Sequence, residues 1–234
     1  KILRWRFSRK LAVEMLHQSW PMILSDFMIF IYMQIDQIMM KQLSSAEELG
    51  LYAAAVKVSG LWYFVPMAIV GSVFPSIVKA KDISETVYKD RLQKLLYLMA
   101  LIAYAVAIPV MLLAEPIVTI LYGKNYLGTA PSLAVLIWAG LFVCLGIARG
   151  TWLVTEGLLR LSAATTAVGA VVNIILNFIL IPRYGGLGAG VATLIAQMSA
   201  SYLAHALYPA TRKMFWMQTK AIFLVDIITK ISTH

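Results

Sequence analysis

The chain has 234 residues, of which 61% are hydrophobic and only 13% charged, and its mean hydropathy is +0.80. Soluble domains carry roughly 25% charged residues, so this composition excludes an ordinary soluble domain and indicates an integral membrane protein. The net charge is +9, but the basic residues lie in hydrophilic stretches beside apolar segments and form no basic and aromatic stripe. We therefore expect an all-α, polytopic membrane protein with no nucleic-acid partner.

The first stretch, residues 1–17, is basic and amphipathic, and it is predicted to be a cytoplasmic linker that lies on membrane lipids. Six apolar segments follow, each long enough to cross a bilayer: about 18–40, 51–78, 95–114, 131–153, 161–181 and 187–208. The pattern predicts a six-helix transmembrane lobe over 18–208 and a cytoplasmic interfacial tail over 209–234. The count of Lys and Arg in the connections places both termini of this chain in the cytoplasm.

The connections between these segments are short. A polar turn at 44–50 joins the first two segments, and the prolines at 66 and 75 predict kinks in the long second one. A charged loop is expected at 79–94. A short apolar stretch at 117–121 is too short to span, so it predicts an interfacial helix ended by Gly123.

The sixth segment begins after a tight turn at 182–190 and carries small residues at intervals of four. Gly188, Ala192, Ala196, Ala200 and Ala204 form this seam, which predicts close approach of another helix. The lone cysteine, Cys144, lies in an apolar run and is expected to be a small core residue.

Charged residues inside apolar segments are the strongest functional signal. Asp36 and Lys57 lie about equally far from the first turn, which predicts a similar depth in an antiparallel hairpin. Each charge costs roughly 2.5 to 3.5 kcal/mol at the centre of a membrane helix on insertion scales, so both should face protein or a wet cavity. The two residues either neutralise each other and fix helix packing, or they line a substrate or ion pathway.

Polar residues in the other segments extend this candidate site. Asn173 and Asn177 share one helix face, which should pack inside the bundle and bond a neighbouring helix. Asp26 and Gln197 are further candidates for the pathway. Arg149 is either an interface anchor together with Trp152, or it points into a cavity, where Glu156 would share its helix face if the helix continues. His205 is expected to be a hydrogen-bonded or interfacial histidine rather than a proton carrier.

Catalytic signatures are missing from the sequence. It contains no glycine-rich phosphate loop, no His-Glu-x-x-His motif and no pair of cysteines. An intramembrane enzyme would need acids converging on one site, and Asp26, Asp36 and Glu156 fall at different depths. We expect no enzyme, no metal site and no cofactor other than a coupling cation, H⁺ or Na⁺.

Five motifs in sequence order resemble one family: Trp20-Pro21, Asp36-Gln37-Ile38-Met39, Glu48-Leu49-Gly50-x-Tyr52-x-Ala54-Ala55-x-Lys57-x-Ser59, Leu121-Tyr122-Gly123-x-x-Tyr126, and Asn173-x-x-Leu176-Asn177-x-x-Leu180-Ile181-Pro182-x-x-Gly185. Together they look like the C-terminal half of bacterial polysaccharide flippases, which translocate O-antigen and exopolysaccharide repeat units. These flippases belong to the multidrug, oligosaccharidyl-lipid and polysaccharide exporter superfamily.

The resemblance implies a two-lobe transporter with a polar cavity between the lobes and rocking alternating access. Its substrate would be an undecaprenyl-pyrophosphate-linked oligosaccharide, moved from the cytoplasmic to the periplasmic leaflet of the bacterial inner membrane during surface polysaccharide synthesis. The chain would be one lobe, and a missing N-terminal lobe of the same protein would be its partner. Asp36, Lys57, Asn173 and Asn177 match polar positions of the family pattern.

The resemblance implies a mechanism, and it also leaves alternative functions open. Lys57 and Arg149 would attract the pyrophosphate, while Asp36 would tune Lys57 or bind a coupling cation. The alternatives are a peptidoglycan-precursor flippase, a multidrug or cation antiporter of the same superfamily, or an inactive truncated remnant.

Overall fold

A computed structural model describes residues 8–225, apart from the side chains of residues 17–33 and 159. Every regular element in this range is helical, which confirms the all-α fold. By their contacts, residues 1–35 and 36–234 form two separate compact units. The long helices are α1 Arg9–Leu43, α2 Ala46–Gly60, α3 Phe64–Ile83, α4 Glu85–Leu112, α6 Thr129–Thr155 and α7 Leu159–Met198; the short ones are α5 Ala114–Tyr122, α8 Ala204–Leu207 and α9 Arg212–Ile222.

Four stretches of the described residues are long and apolar enough to cross a membrane. They are Ala46–Ile83, Glu85–Leu112, Thr129–Thr155 and Arg160–Leu207. The predicted second, third and fourth segments fall largely within the first three stretches. The predicted first segment falls within α1, which continues without a break from the end of the predicted linker. The count of six spans stays a prediction.

The connection between α1 and α2 is shorter than the sequence pattern predicts. Only Ser44 and Ser45 lie outside the two helices, because Ser45 accepts a hydrogen bond from the Glu48 backbone amide and so starts α2 early. Helix α2 is then interrupted at 61–63, just before Pro66 enters the first turn of α3. A proline has no amide hydrogen to donate, so a helix tolerates it best in that first turn. Pro75 lies inside α3.

The prediction of a charged loop at 79–94 is wrong, because α3 and α4 are separated by Ser84 alone. Ser84 caps α4 by accepting the Val87 amide hydrogen. Two ion pairs at a spacing of four residues, Glu85 with Lys89 and Asp90 with Lys94, follow along the first turns of α4. The charges therefore lie along a helix surface rather than in a loop.

Helix α5 confirms the short helix predicted at 117–121. It ends where Gly123 takes φ +85°, a backbone angle that favours glycine. Helix α6 then runs through the second unit and packs against α2, α3, α4, α5 and α7. Cys144 on α6 is fully buried, as expected for a core residue.

Helix α7 is a helical hairpin rather than one straight helix. The break lies at Gly185, with φ +53° and ψ −133°. Asn177 and Thr193, 16 residues apart, donate hydrogen bonds to the same carboxylate, whereas a straight helix would separate them by about 24 Å. The chain therefore reverses within the predicted turn at 182–190, and the two arms correspond to the predicted fifth and sixth segments.

The small-residue seam begins on the second arm of α7 with Gly188, Ala192 and Ala196, and all five of its members are buried. A π-helical turn, Ser199–Leu203, continues it into α8. Within the tail predicted at 209–234, α9 packs against α4 and α6 through the buried side chains of Met214, Gln218 and Ala221. Its interfacial position stays a prediction.

Candidate functional site

The Asp36 cluster comprises Asp36, Tyr52, Asn173, Asn177 and Thr193. Asp36 lies near the end of α1 and is 7% exposed. Its Oδ1 accepts a hydrogen bond from Asn177 Nδ2 at 2.6 Å. Its Oδ2 accepts from the Tyr52 hydroxyl at 2.9 Å and from the Thr193 hydroxyl at 2.6 Å. One carboxylate thus connects α1, α2 and both arms of α7.

The two asparagines fill the other side of this cluster. Asn177 Nδ2 donates a second hydrogen bond to Asn173 Oδ1 at 2.9 Å, and both asparagines are buried. This geometry confirms that their shared face packs inside the bundle and bonds a neighbouring helix. Asn177 Oδ1 is buried and has no hydrogen-bond partner. The cluster therefore contains a polar oxygen that accepts nothing.

The idea that Asp36 and Lys57 neutralise each other is wrong. Among the described residues, none of the ion pairs includes either side chain, and Lys57 is exposed. The error lies in the register, because the early start of α2 places Tyr52 beside Asp36. Lys57 lies five residues further along α2, about 7.5 Å at the rise of an α-helix. Asp36 therefore cannot tune Lys57 by direct contact.

Arg149 forms a second buried cluster, with His205, Thr165 and the carbonyl group of Ala200. Its Nη1 lies 2.7 Å from His205 Nε2 and donates to the Ala200 carbonyl oxygen at 2.8 Å. It also reaches Thr165 Oγ1 at 3.5 Å. Arg149 is 7% exposed and His205 fully buried, so Arg149 is not an interface anchor. His205 is hydrogen-bonded, as expected.

The remaining candidates lie outside these two clusters. Helix α6 ends at Thr155, and Glu156 pairs with Lys81 at 3.1 Å instead of extending the helix face of Arg149. Gln197 follows Thr193 by one helical turn and is half-buried. The side chain of Asp26 lies outside the described residues.

A third contact fixes the α7 hairpin. The Gly186 amide donates to Glu48 Oε2 at 2.9 Å, so a carboxylate on α2 satisfies the backbone where the second arm begins. A side chain at Gly185 would run into this same carboxylate. The hairpin is therefore held at its turn by Glu48 and further along its arms by Asp36.

Sequence reasoning missed Tyr52 and Thr193 as members of the Asp36 cluster, and it did not connect His205 with Arg149. The hydroxyl groups of Tyr52 and Thr193 carry no charge that would stand out in an apolar segment. Tyr52 did lie in a motif of the family resemblance, and Thr193 lies one helical turn after Ala189 on the second arm of α7. Only the reversal of the chain at Gly185 brings Thr193 and Asn177 to the same carboxylate.

The fold and the site define a polytopic α-helical membrane protein with isolated charges buried between its helices. A family model described as polysaccharide biosynthesis protein matches residues 1–131, and the chain belongs to that family. This membership, together with the names of the relatives described next, confirms the resemblance to polysaccharide flippases.

Three curated relatives are similar to the chain. A protein described as the flippase AglR of Haloferax volcanii is 30% identical over 74% of this chain and 37% of its own length. A protein described as an O-antigen transporter of Shigella flexneri is 26% identical over 80% of this chain and 43% of its own length. The capsular polysaccharide biosynthesis protein CapF of Staphylococcus aureus is 25% identical over 71% of this chain and 42% of its own length. The chain thus spans less than half the length of these relatives, and no solved structure matches it.

Proposed function

We propose that the chain is the C-terminal lobe of a flippase for lipid-linked oligosaccharide. The substrate is an undecaprenyl-pyrophosphate-linked oligosaccharide, moved from the cytoplasmic to the periplasmic leaflet of the bacterial inner membrane during surface polysaccharide synthesis. The partner is an N-terminal lobe of the same protein, and the two lobes form the substrate cavity between them. Membership of the polysaccharide biosynthesis family and the names of the relatives support a transporter rather than an enzyme.

The observation that carries this proposal is the buried carboxylate of Asp36. It lies between membrane helices, and among the described residues no basic side chain forms an ion pair with it. A bundle that only needed packing would be stabilised by apolar residues at this position, since an uncompensated charge in a membrane is costly. Such a charge is useful in a transporter, because a cation can bind and neutralise it in one conformation and dissociate from it in another.

The donor set of the Asp36 cluster fits a monovalent coupling cation, H⁺ or Na⁺. A sodium ion prefers oxygen ligands, and the cluster offers the carboxylate, the hydroxyls of Tyr52 and Thr193, and two amide oxygens. Asn177 Oδ1 is the buried oxygen without a partner. One carboxylate among neutral oxygens balances a single positive charge. Because the cluster contacts both arms of α7, binding there would change how tightly the hairpin is held.

The substrate's pyrophosphate would first meet Lys57. This cation is exposed on the otherwise mostly apolar helix α2, whereas Arg149 is buried. An exposed ammonium is accessible to an anionic headgroup, and the two opposite charges attract each other. Asp36 and Lys57 then serve separate steps, coupling and substrate attraction, rather than one ion pair.

A complementation experiment tests the proposal in cells that lack the endogenous flippase. Asp36→Asn keeps the shape of the side chain and removes its charge, and we expect surface polysaccharide to fall about tenfold or more, within the range of typical coupling energies. Asp90→Asn is the matched control, because Asp90 is an exposed partner of Lys94. Normal polysaccharide from both Asp36→Asn and Lys57→Ala, at equal membrane levels, would refute the mechanism.

A reconstituted system distinguishes the coupling ions. The full-length protein is placed in vesicles with a fluorescent lipid-linked oligosaccharide, and flipping is followed by quenching of the outer leaflet. If Na⁺ couples transport, exchanging the Na⁺ gradient for K⁺ slows flipping and Asp36→Asn abolishes the difference. If H⁺ couples transport, collapsing the pH gradient has that effect instead. Equal rates under all gradients would exclude coupling through Asp36.

A further inference from the structure

Helix α9 runs lengthwise along α4 and in the same direction. Three hydrogen bonds join the two helices, and their partners advance along both in the same order: Lys213 with Glu85 at 3.0 Å, Met217 with Gln93 at 3.1 Å, and Ile222 with Tyr104 at 2.8 Å. From the first contact to the last, α4 advances about 28 Å and α9 about 14 Å, and the long side chains of Lys213 and Tyr104 span the difference. A helix lying across the end of α4 would contact it at one level only.

Helix α6 gives an independent measure of how deep α9 lies. It ends at Thr155 on the same side as the start of α4, because Lys81, three residues before Ser84, donates to the Thr155 carbonyl oxygen at 2.9 Å. Gln218 of α9 is fully buried and donates to the Leu145 carbonyl oxygen at 3.5 Å. Leu145 precedes Thr155 by about 15 Å along α6. The middle of α9 therefore lies about 15 Å inside this end of the bundle.

The polar groups of α9 also have partners that suit a position inside the membrane. The last carbonyl groups of a helix have no partner within it, and hydrocarbon offers them no water. The Tyr104 hydroxyl donates to one of them, that of Ile222. On another side of α9, the Tyr202 hydroxyl lies 2.9 Å from Thr219 Oγ1, and the Tyr202 ring stacks on Phe215. Side chains of the bundle thus bind groups that water would bind at a surface.

The outer face of α9 consists of Trp216, Lys220 and, directly after the helix, Phe223. Trp216 is 61% exposed and Phe223 64% exposed. Lys220 is exposed too, and because helical side chains lean toward the start of their helix, its ammonium can reach back toward the headgroups. Every exposed residue of α4 beyond Lys94 is apolar. A water-filled cavity would be lined by more polar groups, so this side of the bundle fits lipid.

We propose that α9 enters the membrane beside α4 and that its outer face contacts the surrounding lipid. Arg212 and Lys213 then lie at headgroup level, Trp216 lies in the interfacial layer, and Phe223 reaches the acyl chains. This position replaces the interfacial one that the sequence favours for 209–234, because a surface helix keeps all its residues at a similar depth. It goes beyond the proposed transport function, since it requires no substrate and no coupling ion.

Depth measurements with nitroxide labels test this arrangement. The full-length protein, with its native cysteines replaced, carries one new cysteine and is reconstituted in vesicles. Power saturation compares collisions with oxygen, which concentrates in the bilayer, and with a water-soluble nickel chelate. Trp216→Cys and Phe223→Cys are separated by about 10 Å along the helix, so we expect the second label to lie up to about 10 Å deeper. Leu101→Cys, exposed on α4, is the lipid reference, and Asp82→Cys, exposed near the end of α3, is the water reference.

Two results would overturn the proposal. Equal depths of the labels at 216 and 223 would place α9 on the membrane surface. A label at Phe223→Cys that collides with the nickel chelate as often as the label at Asp82→Cys would place this face in a water-filled cavity. Lys220→Cys, expected at an intermediate depth, provides a second position if one label disturbs the fold.

A crosslinking experiment gives the same test in the wild-type protein. Phospholipids that carry a diazirine in the middle of an acyl chain are photoactivated in the vesicles, and mass spectrometry locates the adducts. We expect adducts at Phe223 as well as at Leu101, the exposed reference on α4. Adducts at Leu101 without any at Phe223 would contradict the insertion of α9. The flippase proposal would survive that result, since its test is polysaccharide export.

Discussion

At the scale of single residues, two buried charges of opposite sign are held by neutral groups. Asp36 is surrounded by hydroxyl and amide donors, and Arg149 by a carbonyl, an imidazole and a hydroxyl. Each charge is thereby oriented without being neutralised. Hydrogen bonds to charged groups contribute more to stability than neutral ones do, so these contacts should be measurable one at a time.

Tyr52→Phe tests the contribution of one such contact. The variant keeps the ring, which is fully buried, and removes the hydroxyl that donates to Asp36. We expect the unfolding free energy to fall by about 2 kcal/mol, since a charged acceptor loses a partner in a buried site. The melting temperature of the purified protein in detergent measures it. Tyr126→Phe, at an exposed ring, should leave the melting temperature unchanged.

At the scale of elements, the α7 hairpin depends on two glycines at its turn. Gly185 has a positive φ and lies against the Glu48 carboxylate, while a side chain at Gly188 would run into the Leu180 backbone. Backbone angles such as those of Gly185 are strained for any other residue. The hairpin therefore has little tolerance for substitution at this turn, although most of its surface is apolar.

Gly185→Ala should destabilise the protein by about 2 kcal/mol or more, because the strained φ and the contact with Glu48 add up. The measurement is thermal unfolding in detergent. Gly71→Ala is the matched control: Gly71 is an exposed helical residue of α3, and an added methyl group there meets nothing within 4 Å. This control should be neutral or slightly stabilising. Equal melting temperatures for both variants would contradict the backbone strain expected for alanine at position 185.

The small-residue seam offers a second test at this scale. Ala192 is fully buried, so Ala192→Leu forces three extra carbon atoms into a packed interface and should cost about 1 to 3 kcal/mol. Ala163→Leu makes the same change at an exposed position of the other arm and should have little effect. The difference between the two melting temperatures isolates the packing of the seam. An unchanged melting temperature for Ala192→Leu would mean that the neighbouring helices can move apart to fit the larger side chain.

At the scale of the whole molecule, the orientation in the membrane is open to direct measurement. The buried Cys144 is the only cysteine, so Cys144→Ala gives a background without reactive thiols. Single cysteines at the exposed Lys94 and at Lys124 then report the two sides. The positive-inside rule predicts labelling of Lys94→Cys from the cytoplasm and Lys124→Cys from the periplasm. The reverse pattern would show that the orientation is inverted.

Much of this fold could be predicted from hydrophobic patterns and small-residue spacing. The apolar segments, the α5 helix ended by Gly123 and the α7 turn all follow from composition over a window of residues. The register of α1 against α2 could not be predicted, because it depends on whether Ser45 starts the helix at Ala46. That shift of a few residues replaced Lys57 by Tyr52 beside Asp36. A hydroxyl such as that of Thr193 gives no signal in a sequence, whereas a charge or an amide in an apolar segment stands out by the cost of burying it.

The contact between Asp36 and Asn177 also has a consequence for how the protein is made. The two residues are 141 positions apart, and Thr193 lies further along still. At a synthesis rate of about 5 to 20 residues per second, roughly 7 to 30 s pass between translation of Asp36 and translation of Asn177. During that interval α1 lacks the amide donor that later orients its carboxylate. Insertion of the α7 hairpin is therefore the step that completes the Asp36 cluster, and a chain whose synthesis stops before α7 keeps Asp36 without its Asn177 and Thr193 donors.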